Sequence, residues 1–338
     1  MGHVTIKTIA REMGLSISAV SKALNNYPDI NENTKEAVIQ KALEMGYSPN
    51  MIARNLVKST SNSIGVVVRD TSTIYGELLK PLSEAALKKN LTIVMGDSNR
   101  SKERELSHIK SMMASRVMGL IIAPVDSDVT EIEKTISSGF PVVYLGGHVS
   151  KPRRNQVMVD SEHGVKLAID YLYSLGHRNI ALVTDAKSTE STKLKIDSYI
   201  KEMEKHNLNP AIFTDTTDDG NLVAAGYRQI ERIFQTNEKY TALFAVKDML
   251  AAGLMQALKD RNISVPDDIS VIGYDGADVS SYPMINLTTI ATPKEKIAEL
   301  LVDIILTQAN GETYREPRQY FTEPVLVQRS SCKRILNP

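Results

Sequence analysis

The sequence predicts two fold classes in one chain: a small all-α helix-turn-helix unit, followed by an α/β core of doubly wound parallel sheets. Up to about residue 58, apolar residues recur only at helical spacing. Beyond that point, short Val- and Ile-rich runs alternate with amphipathic helical segments. The chain has 338 residues, more than one compact core usually contains, so we expect separate domains.

The helix-turn-helix prediction rests on three short helical segments and the residues that bound them. Thr5 is placed to cap the first helix and Gly14 to end it. Asn31 can cap the third helix, which is expected to run to Gly46. The residues at helical spacing are Ile6, Ile9, Ala10, Met13, Val20, Ala23, Leu24, Ala37, Val38, Lys41, Ala42 and Met45. A short turn between the first two helices is typical of this motif.

The α/β prediction rests on eight apolar runs bounded by turn residues. They are IGVVV (64–68), LTIVMG (91–96), GLIIAP (119–124), PVVYLG (141–146), IALVTD (180–185), AIFTD (211–215), ALFAV (242–246) and ISVIGYD (269–275). Such continuous runs are typical of parallel strands that helices cover on both faces. The length of this region favours two lobes over one sheet. Ligands bind beyond the carboxyl ends of such strands, so the residues that follow the runs are candidate site residues.

The second helical segment, GLSISAVSKALNN (14–26), has a presumed surface of mostly Ser and Ala with one charge, Lys22. A helix in the major groove needs small or hydroxyl-bearing residues near phosphates and longer side chains only where bases are read. Residues that meet this description are Ser16, Ser18, Ala19, Ser21 and Lys22. The pattern therefore predicts DNA binding. The alternative is a small-residue helix that lies on the surface or packs on another domain.

Composition limits the partners and cofactors. Lys plus Arg and Asp plus Glu each number 40, and residues 1–60 hold seven basic and five acidic side chains. This asymmetry is too slight to indicate nucleic-acid binding by charge alone. Cys332 is the only cysteine, so we expect no disulfide and no Cys-based metal site. We also expect no cofactor. The sequence shows no signal peptide and no membrane-length apolar run, which predicts a cytoplasmic protein without a membrane partner.

Two other classes of protein fit the sequence less well. An enzyme on a doubly wound sheet needs a nucleophile or a phosphate-binding loop. The sequence contains neither a G-x-G-x-x-G nor a G-x-x-x-x-G-K-[ST] motif, and no cluster of His or Cys. We therefore expect that the protein is not an enzyme. A solute-binding protein would need an export signal and would have no use for residues 1–58.

Several segments carry a resemblance to a known family. VTIKTIAREMGLSISAVSKALNN (4–26) and INENTKEAVIQKALEMGYSPNMIARNLV (30–57) resemble the DNA-binding headpiece of the lactose-repressor (LacI/GalR) family. YLYSLGHRNIALV (171–183), GLMQALKDRNISVPDDISVIGYDG (253–276) and LTTIATP (287–293) resemble its regulatory core. The resemblance extends over nearly the whole chain. It implies a type I periplasmic binding-protein-like core of two doubly wound lobes, with an effector between them.

The resemblance also implies domain boundaries. Residues 1–48 correspond to the helix-turn-helix DNA-binding domain, 49–62 to a hinge helix and linker, and 63–338 to an effector-binding and dimerisation core. Within the core, lobe 1 is expected at about 63–160 and 293–322, and lobe 2 at about 161–290 and 323–331.

In the headpiece, the family's base-reading positions fall on Ile17, Ser18 and Lys22. Ile17 can contact a thymine methyl group, and Lys22 can donate to guanine O6 and N7. The alternative for Ile17 is an exposed apolar residue without function, which is common. Phosphate-contacting positions fall on Thr5, Ser16, Ser21, Asn25, Asn31 and Thr34.

The segment PNMIARNLVKS (49–59) resembles the hinge helix, which in the family orders on operator DNA and enters the minor groove. Leu56 matches the leucine that wedges between base steps, and Ala53 matches the small residue that permits close approach. Asn50 and Arg54 complete the expected minor-groove set. The alternative for Leu56 is an ordinary core residue.

In the core, the expected effector-binding residues are Tyr75, Asp160, Lys195, Asn221, Lys247 and Asp275. Asp275 matches a carboxylate that accepts sugar hydroxyls, but other positions depart from the sugar-binding pattern. Lys195 replaces an Arg and Lys247 an Asn. Gly146 replaces an Asp, and Asn221 an aromatic residue that often stacks on the sugar.

These departures make the cleft more cationic and lead to two hypotheses. In the first, the effector is anionic, for example a sugar phosphate. In the second, Lys195 and Lys247 pair with local acids such as Asp248 or Asp275 and bind nothing.

The function implied is that of a transcriptional regulator, expected to be a repressor. It would bind a pseudo-palindromic operator as a homodimer under allosteric control by a small effector, either a sugar or a sugar phosphate. An alternative within the family is a catabolite-control type regulator whose corepressor is a phosphorylated carrier protein.

Overall fold

The computed structural model describes residues 4–24, 27–47, 61–71, 74–147, 149, 153–185, 189–217, 220–311 and 316–335. The chain divides into two compact units, Met1–Ser61 and Asn62–Pro338. Among the described residues, no helix is long and apolar enough to cross a membrane.

The N-terminal unit contains the three predicted helices: α1 (Ile6–Met13), α2 (Ile17–Leu24) and α3 (Glu32–Glu44). Their apolar faces meet in a small core of Ile9, Ala10, Val20, Ala23, Val38 and Ala42. Ala37, which shares the helical spacing of this set, is exposed instead. Six small or medium apolar side chains are thus the buried centre of this unit.

Local hydrogen bonds fix where α1 begins and ends. The Thr5 hydroxyl accepts from the Thr8 amide, and the Thr8 hydroxyl accepts from the Thr5 amide, which is a reciprocal cap. Gly14 ends the helix at φ 65°, a conformation that glycine adopts without strain. The Asn31 side chain accepts from the Asn33 amide and caps α3. The capping prediction is confirmed at all three positions.

The second unit contains two six-stranded sheets; two buried clusters pack against the first sheet and one against the second. The strands are β1 (Ser63–Val68), β2 (Thr92–Asp97), β3 (Gly119–Ile122), β4 (Val142–Leu145), β5 (Asn155–Val159), β6 (Ile180–Thr184), β7 (Ala211–Thr214), β8 (Ala242–Ala245), β9 (Ser270–Asp275), β10 (Thr288–Ala291), β11 (Gln319–Thr322) and β12 (Val325–Val327). The first sheet has the order β11-β5-β4-β3-β1-β2, and the second β12-β10-β9-β8-β6-β7. All described pairings are parallel except that of β12 with β10.

Helices connect the strands of both lobes. They are α4 (Ile74–Glu77), α5 (Leu79–Lys88), α6 (Lys102–Ala114), α7 (Thr130–Thr135), α8 (Ser161–Ser174), α9 (Glu190–Lys205), α10 (Leu222–Phe234), α11 (Asp248–Asp260) and α12 (Lys294–Ala309). A 3-10 turn spans Asp278–Ser281.

All eight predicted apolar runs form strands, but β5, β10, β11 and β12 do not belong to the eight. β5 begins with Asn155 and Gln156, and β12 has three residues, so neither has an extended apolar run. Their place in a sheet depends on neighbours distant in sequence. For example, the Asn155 side chain accepts from the Arg318 amide, which aligns β5 with β11.

Helices α10 and α11 contact each other closely through a pair of glycines. A Cβ atom added to Gly226 would lie 2.1 Å from the Leu250 carbonyl oxygen, and one added to Gly253 would lie 2.0 Å from that of Val223. These obstacles are backbone atoms, which cannot move aside as a side-chain tip can. The helices can therefore be this close only because both positions lack a side chain.

We expect Gly253→Ala to lower the free energy of unfolding of the core by about 1–3 kcal/mol, because the methyl group forces α10 and α11 apart. Urea unfolding checks this prediction. The control is Lys259→Ala, an exposed change on the same helix. Equal stability of the two variants would contradict the close-packing argument.

Candidate functional site

The start of α2 presents the predicted base-reading residues to solvent. Ile17 is 50% exposed although it is a large apolar residue, and Ser18 is exposed beside it. The Ser16 hydroxyl accepts from the Ala19 amide and so caps the helix. Burial of Val20 against the other two helices orients this exposed end outward. The roles in base reading remain predictions.

Lys22 forms an ion pair with Asp29 in the N-terminal unit. The hydrogen bond from Lys22 holds the pKa of Asp29 below its ordinary value, and the same bond raises the pKa of Lys22. Both side chains are exposed, so the pair is screened and can open. The Lys22 ammonium group has three N–H donors, so it can donate to a base while it pairs with Asp29 or after the pair opens.

The predicted phosphate-contacting residues fall into two groups. Thr5, Ser16 and Asn31 cap α1, α2 and α3, so their side chains lie at helix N-termini, where amide groups favour anions. Ser21 and Thr34 are partly exposed within helices. Asn25 lies outside the described residues, as do the hinge residues Asn50, Ala53, Arg54 and Leu56.

In the core unit, a cavity of about 210 Å³ lies at the carboxyl ends of strands from both sheets. Arg69 follows β1, Gly146 follows β4, and Lys247 follows β8 within its lining. Tyr75, Lys195 and Asp275 also line it. Much of the remaining lining is aliphatic, from Leu, Ile, Val and Met side chains. The position agrees with the rule for ligand sites in doubly wound sheets.

Lys195 is buried at one side of the cavity. Its Nζ atom donates to the Val246 carbonyl at 3.0 Å, lies 3.4 Å from Asp275 Oδ1 and is 3.6 Å from the centroid of the Tyr274 ring. Burial lowers the pKa of Lys195, whereas burial raises the pKa of Asp275. Each group therefore depends on the other for its charge.

The backbone of Asp275 adopts φ 106°, a conformation that favours glycine and costs a non-glycine residue about 1–3 kcal/mol. Gly276 follows at φ 66°, and an added Cβ atom would lie 2.5 Å from Ala291 Cβ. This turn places the Asp275 carboxylate beside Lys195.

Lys247 has a carboxylate partner that sequence analysis did not identify. Its Nζ atom lies 2.7 Å from Asp185 Oδ2. The other oxygen of Asp185 is buried and has no hydrogen-bond partner among the described residues. Asp185 is the last residue of the apolar run 180–185. The rule that ligands bind at the carboxyl ends of parallel strands could therefore have identified it.

Arg69 and Tyr75 form the opposite side of the cavity. Arg69 donates to the Tyr75 hydroxyl and lies 5.1 Å from the ring centroid. A Cβ atom added to Gly146 would lie 2.7 Å from that hydroxyl, so the Asp expected from the family pattern would displace this Tyr75 side chain. Arg69 forms no ion pair with the described residues, whereas Arg100 pairs with Asp70.

Two predicted effector residues are not among those that line the cavity. The Asp160 carboxylate accepts from the His163 amide and caps α8, and the Asn221 side chain accepts from the Ala224 amide and caps α10. Their neighbours Ser161 and Leu222 line the cavity instead. The side-chain oxygens of Asp160 and Asn221 accept hydrogen bonds from amide groups of the first helical turn, so these side chains are directed toward the helix ends.

Glu77 connects the two lobes and was missing from the predicted site. It accepts from Lys294 and from the amide of Asp278 at 3.1 Å. Lys294 also donates to the Gly276 carbonyl at 2.8 Å. Neither Glu77 nor Lys294 directly follows one of the eight predicted apolar runs, so no local sequence pattern indicates that they join the lobes.

Asp248 is a buried carboxylate at the start of α11. It accepts from the Ala277 amide and from the Thr289 hydroxyl, each at 2.6 Å. Burial, together with the charge of Asp275, raises the pKa of Asp248 to about 8.

Comparisons with known proteins agree with this geometry. Residues 5–50 match the model described as bacterial regulatory proteins, lacI family, and residues 169–332 match a periplasmic binding protein-like domain. Catabolite control protein A of Priestia megaterium is 28% identical over 92% of this chain and 94% of that protein. The HTH-type transcriptional repressor PurR of Vibrio campbellii is 28% identical over 98% of this chain and 99% of that protein.

The structural comparison gives the same result. The crystal structure of the lac repressor dimer bound to operator and the anti-inducer ONPF aligns with a TM-score of 0.85 and 25% identity. The alignment covers 98% of this chain and 100% of that chain. The predicted fold class, a helix-turn-helix headpiece joined to a two-lobed periplasmic binding-protein-like core, is confirmed.

We expect the free energy of unfolding to fall as pH rises from about 5 to 8, because folded Asp248 keeps a proton that the unfolded chain loses near pH 3.9. This one group contributes a slope of at most about 1.4 kcal/mol per pH unit. An asparagine at this position cannot ionise, so Asp248→Asn should flatten the dependence of the free energy of unfolding on pH, as measured by urea unfolding. The exposed control, Asp267→Asn, should leave that dependence unchanged. If the free energy of unfolding of Asp248→Asn had the same slope against pH as that of the wild type, this prediction would be contradicted.

Proposed function

We propose that this chain, which is similar to regulators of the LacI/GalR family, represses transcription as a homodimer on a pseudo-palindromic operator, controlled by a small sugar-like effector. The observation that carries this proposal is the lacI-family match over residues 5–50, where α2 exposes Ile17 and Ser18. Its relatives are transcriptional regulators, which supports a regulatory and not an enzymatic role. Its target, operator DNA, places its action in the bacterial cytoplasm.

DNA recognition is assigned to the exposed end of α2. Ile17 would contact a thymine methyl group, Ser18 a base edge, and Lys22 guanine acceptors. A homodimer carries two such helices related by a two-fold axis, so its operator should contain two inverted half-sites. Leu56, with Asn50, Ala53 and Arg54, is proposed to enter the minor groove between them.

The Lys22–Asp29 pair gives a sharp test of base reading. Both Lys22→Ala and Asp29→Ala remove the ion pair, but only Lys22→Ala removes a donor to DNA. We expect Lys22→Ala to weaken operator binding by about 1–3 kcal/mol. Asp29→Ala should not weaken it, because it frees Lys22 and removes a negative charge.

The measurement is a binding titration at one salt concentration, on an operator selected from random DNA by the full-length protein. Equal weakening by both substitutions would assign the pair a structural role only. Selected sites without two-fold symmetry would overturn the homodimeric repressor proposal itself.

The effector is assigned to the cavity between the lobes. Asp275, which lines this cavity, is suited to accept from the hydroxyl groups of a sugar. Lys195 pairs with Asp275, and Lys247 pairs with Asp185. This pairing favours the second hypothesis for the two lysines, that local acids neutralise them.

An anionic group on the effector would therefore bind elsewhere, at Arg69. Arg69 donates to the neutral hydroxyl of Tyr75 and forms no ion pair with the described residues, although its charge also acts on the buried Glu105 carboxylate. The guanidinium group has five N–H donors, so others can serve a ligand. A guanidinium group can donate two hydrogen bonds to one phosphate. We assign the phosphate of a sugar phosphate to this side of the cavity, and the sugar hydroxyls to the side of Asp275.

Arg69→Gln tests the anionic effector. It should weaken binding of the phosphate ester by about 1.5–3 kcal/mol, roughly tenfold or more, and leave the neutral sugar unaffected. Calorimetry with a panel of sugars and their phosphates provides the measurement. Arg100→Gln is the matched control, because Arg100 lines the same cavity but is neutralised by Asp70. Tight binding of a neutral sugar without preference for its phosphate would exclude the phosphate assignment.

Control of DNA binding follows from linkage. Glu77 of lobe 1 contacts the Asp278 amide of lobe 2 beside the cavity, so a ligand there can favour one arrangement of the lobes. It shifts DNA affinity only through its different affinities for the two arrangements.

The similarity to catabolite control protein A supports a second candidate, in which a phosphorylated carrier protein acts as corepressor. An operator titration with and without that carrier protein, in the absence of sugars, separates the two candidates. Enhancement by the carrier protein alone would favour the second.

A further inference from the structure

Away from the effector cavity, three side chains with metal-ligating atoms meet between α8 and α9. Glu202 and His206 are four residues apart, so they share one face of α9 and its C-terminal turn. Asp170 comes from α8. One ligand atom of each residue lies within 4.8 Å of the others.

Packing orients the imidazole of His206. Its ring stacks on Tyr173 with centroids 4.1 Å apart and an angle of 23°, and the guanidinium of Arg178 lies 3.8 Å from the same Tyr173 ring. His206 Nε2 is directed at Asp170 Oδ1, at 2.8 Å. An imidazole that is held by stacking loses little freedom when it binds a ligand.

The two carboxylates are now neutralised by mobile cations. Lys166 pairs with Asp170, and Lys205 Nζ lies 2.9 Å from Glu202 Oε2. These lysines are 46% and 52% exposed, whereas the Glu202 side chain is only 10% exposed. Both lysines can therefore turn into solvent, while burial holds Glu202 in place and the hydrogen bond from His206 holds Asp170, whose side chain is 35% exposed.

We propose that Asp170, Glu202 and His206 form a binding site for a divalent first-row transition-metal ion, of which Zn²⁺ fits best. One imidazole and two carboxylates are common Zn²⁺ ligands, and three protein ligands leave a position for water. Ligands at about 2.0–2.2 Å from one ion lie roughly 3–4 Å apart, so only small adjustments of the side chains are needed. In the metal-free arrangement His206 Nε2 donates its proton to Asp170. Metal binding therefore requires Nε2 to give up that proton, and the neutral imidazole that binds the metal carries its proton on Nδ1.

The position of this site gives it a consequence for the cavity. α9 carries Lys195, and α8 begins at Ser161, and both residues line the cavity. A metal ion that joins α8 to α9 fixes two helices of the effector-binding wall.

The explanation without metal is an ion-pair network, in which Lys166 and Lys205 are the permanent partners of the two carboxylates. Such a network is independent of added metal. The site and the network therefore differ in one measurable property, the response to Zn²⁺.

The experiment uses the full-length protein without an affinity tag. Calorimetry measures the affinity and stoichiometry of Zn²⁺, and thermal unfolding with and without Zn²⁺ gives a second readout. The variants are His206→Ala, Asp170→Asn and Glu202→Gln; the last two preserve side-chain shape, so they remain informative if His206→Ala fails to fold. His163→Ala is the control, since it removes an imidazole from α8 outside the cluster.

We expect one Zn²⁺ per chain and a saturable rise of the melting temperature in the wild type and in His163→Ala. Each of the three ligand variants should lose affinity at least about tenfold and lose the thermal shift. Absence of saturable binding in the wild type would overturn the proposal. So would binding that the three substitutions leave unchanged, since the ion would then lie elsewhere.

Discussion

The burial of charge at the carboxyl ends of two parallel sheets is the constraint on which the cavity depends. A buried charge without a partner costs several kcal/mol, so each buried cation there must meet an acceptor. Lys195 meets Asp275, and Lys247 meets Asp185. The unfavourable φ of Asp275 persists because it brings this carboxylate to Lys195.

The same constraint shapes what the cavity can recognise. Because Lys195 and Lys247 each pair with a carboxylate, they add little net positive charge to the cavity. Arg69 differs, since its partner is the neutral hydroxyl of Tyr75. Glu77 and Lys294 add contacts that join the lobes at this place. Ligand recognition and lobe arrangement therefore share one set of polar groups.

Much of the fold could be predicted from the sequence, because the relevant interactions are local. Thr5 and Gly14 bound α1 through contacts within one turn of the chain, so residue type and spacing suffice to place them. The eight apolar runs are strands for a related reason, since continuous burial requires continuous apolar residues. β5 escaped prediction because it begins with polar residues whose pairing partners lie on β11, distant in sequence.

The sequence by itself determined the two-part fold class, the three helices of the N-terminal unit and eight of the twelve described strands, because these depend on local patterns of residues. Only the tertiary structure decided which charges meet. The pairs Lys22–Asp29, Lys247–Asp185 and Lys294–Glu77 join residues from different elements, and no periodicity relates them. It also decided that Asp160 and Asn221 cap helices while Arg69 faces the cavity. The physical reason is that side-chain electrostatics depend on distance in space, which the folded chain alone sets.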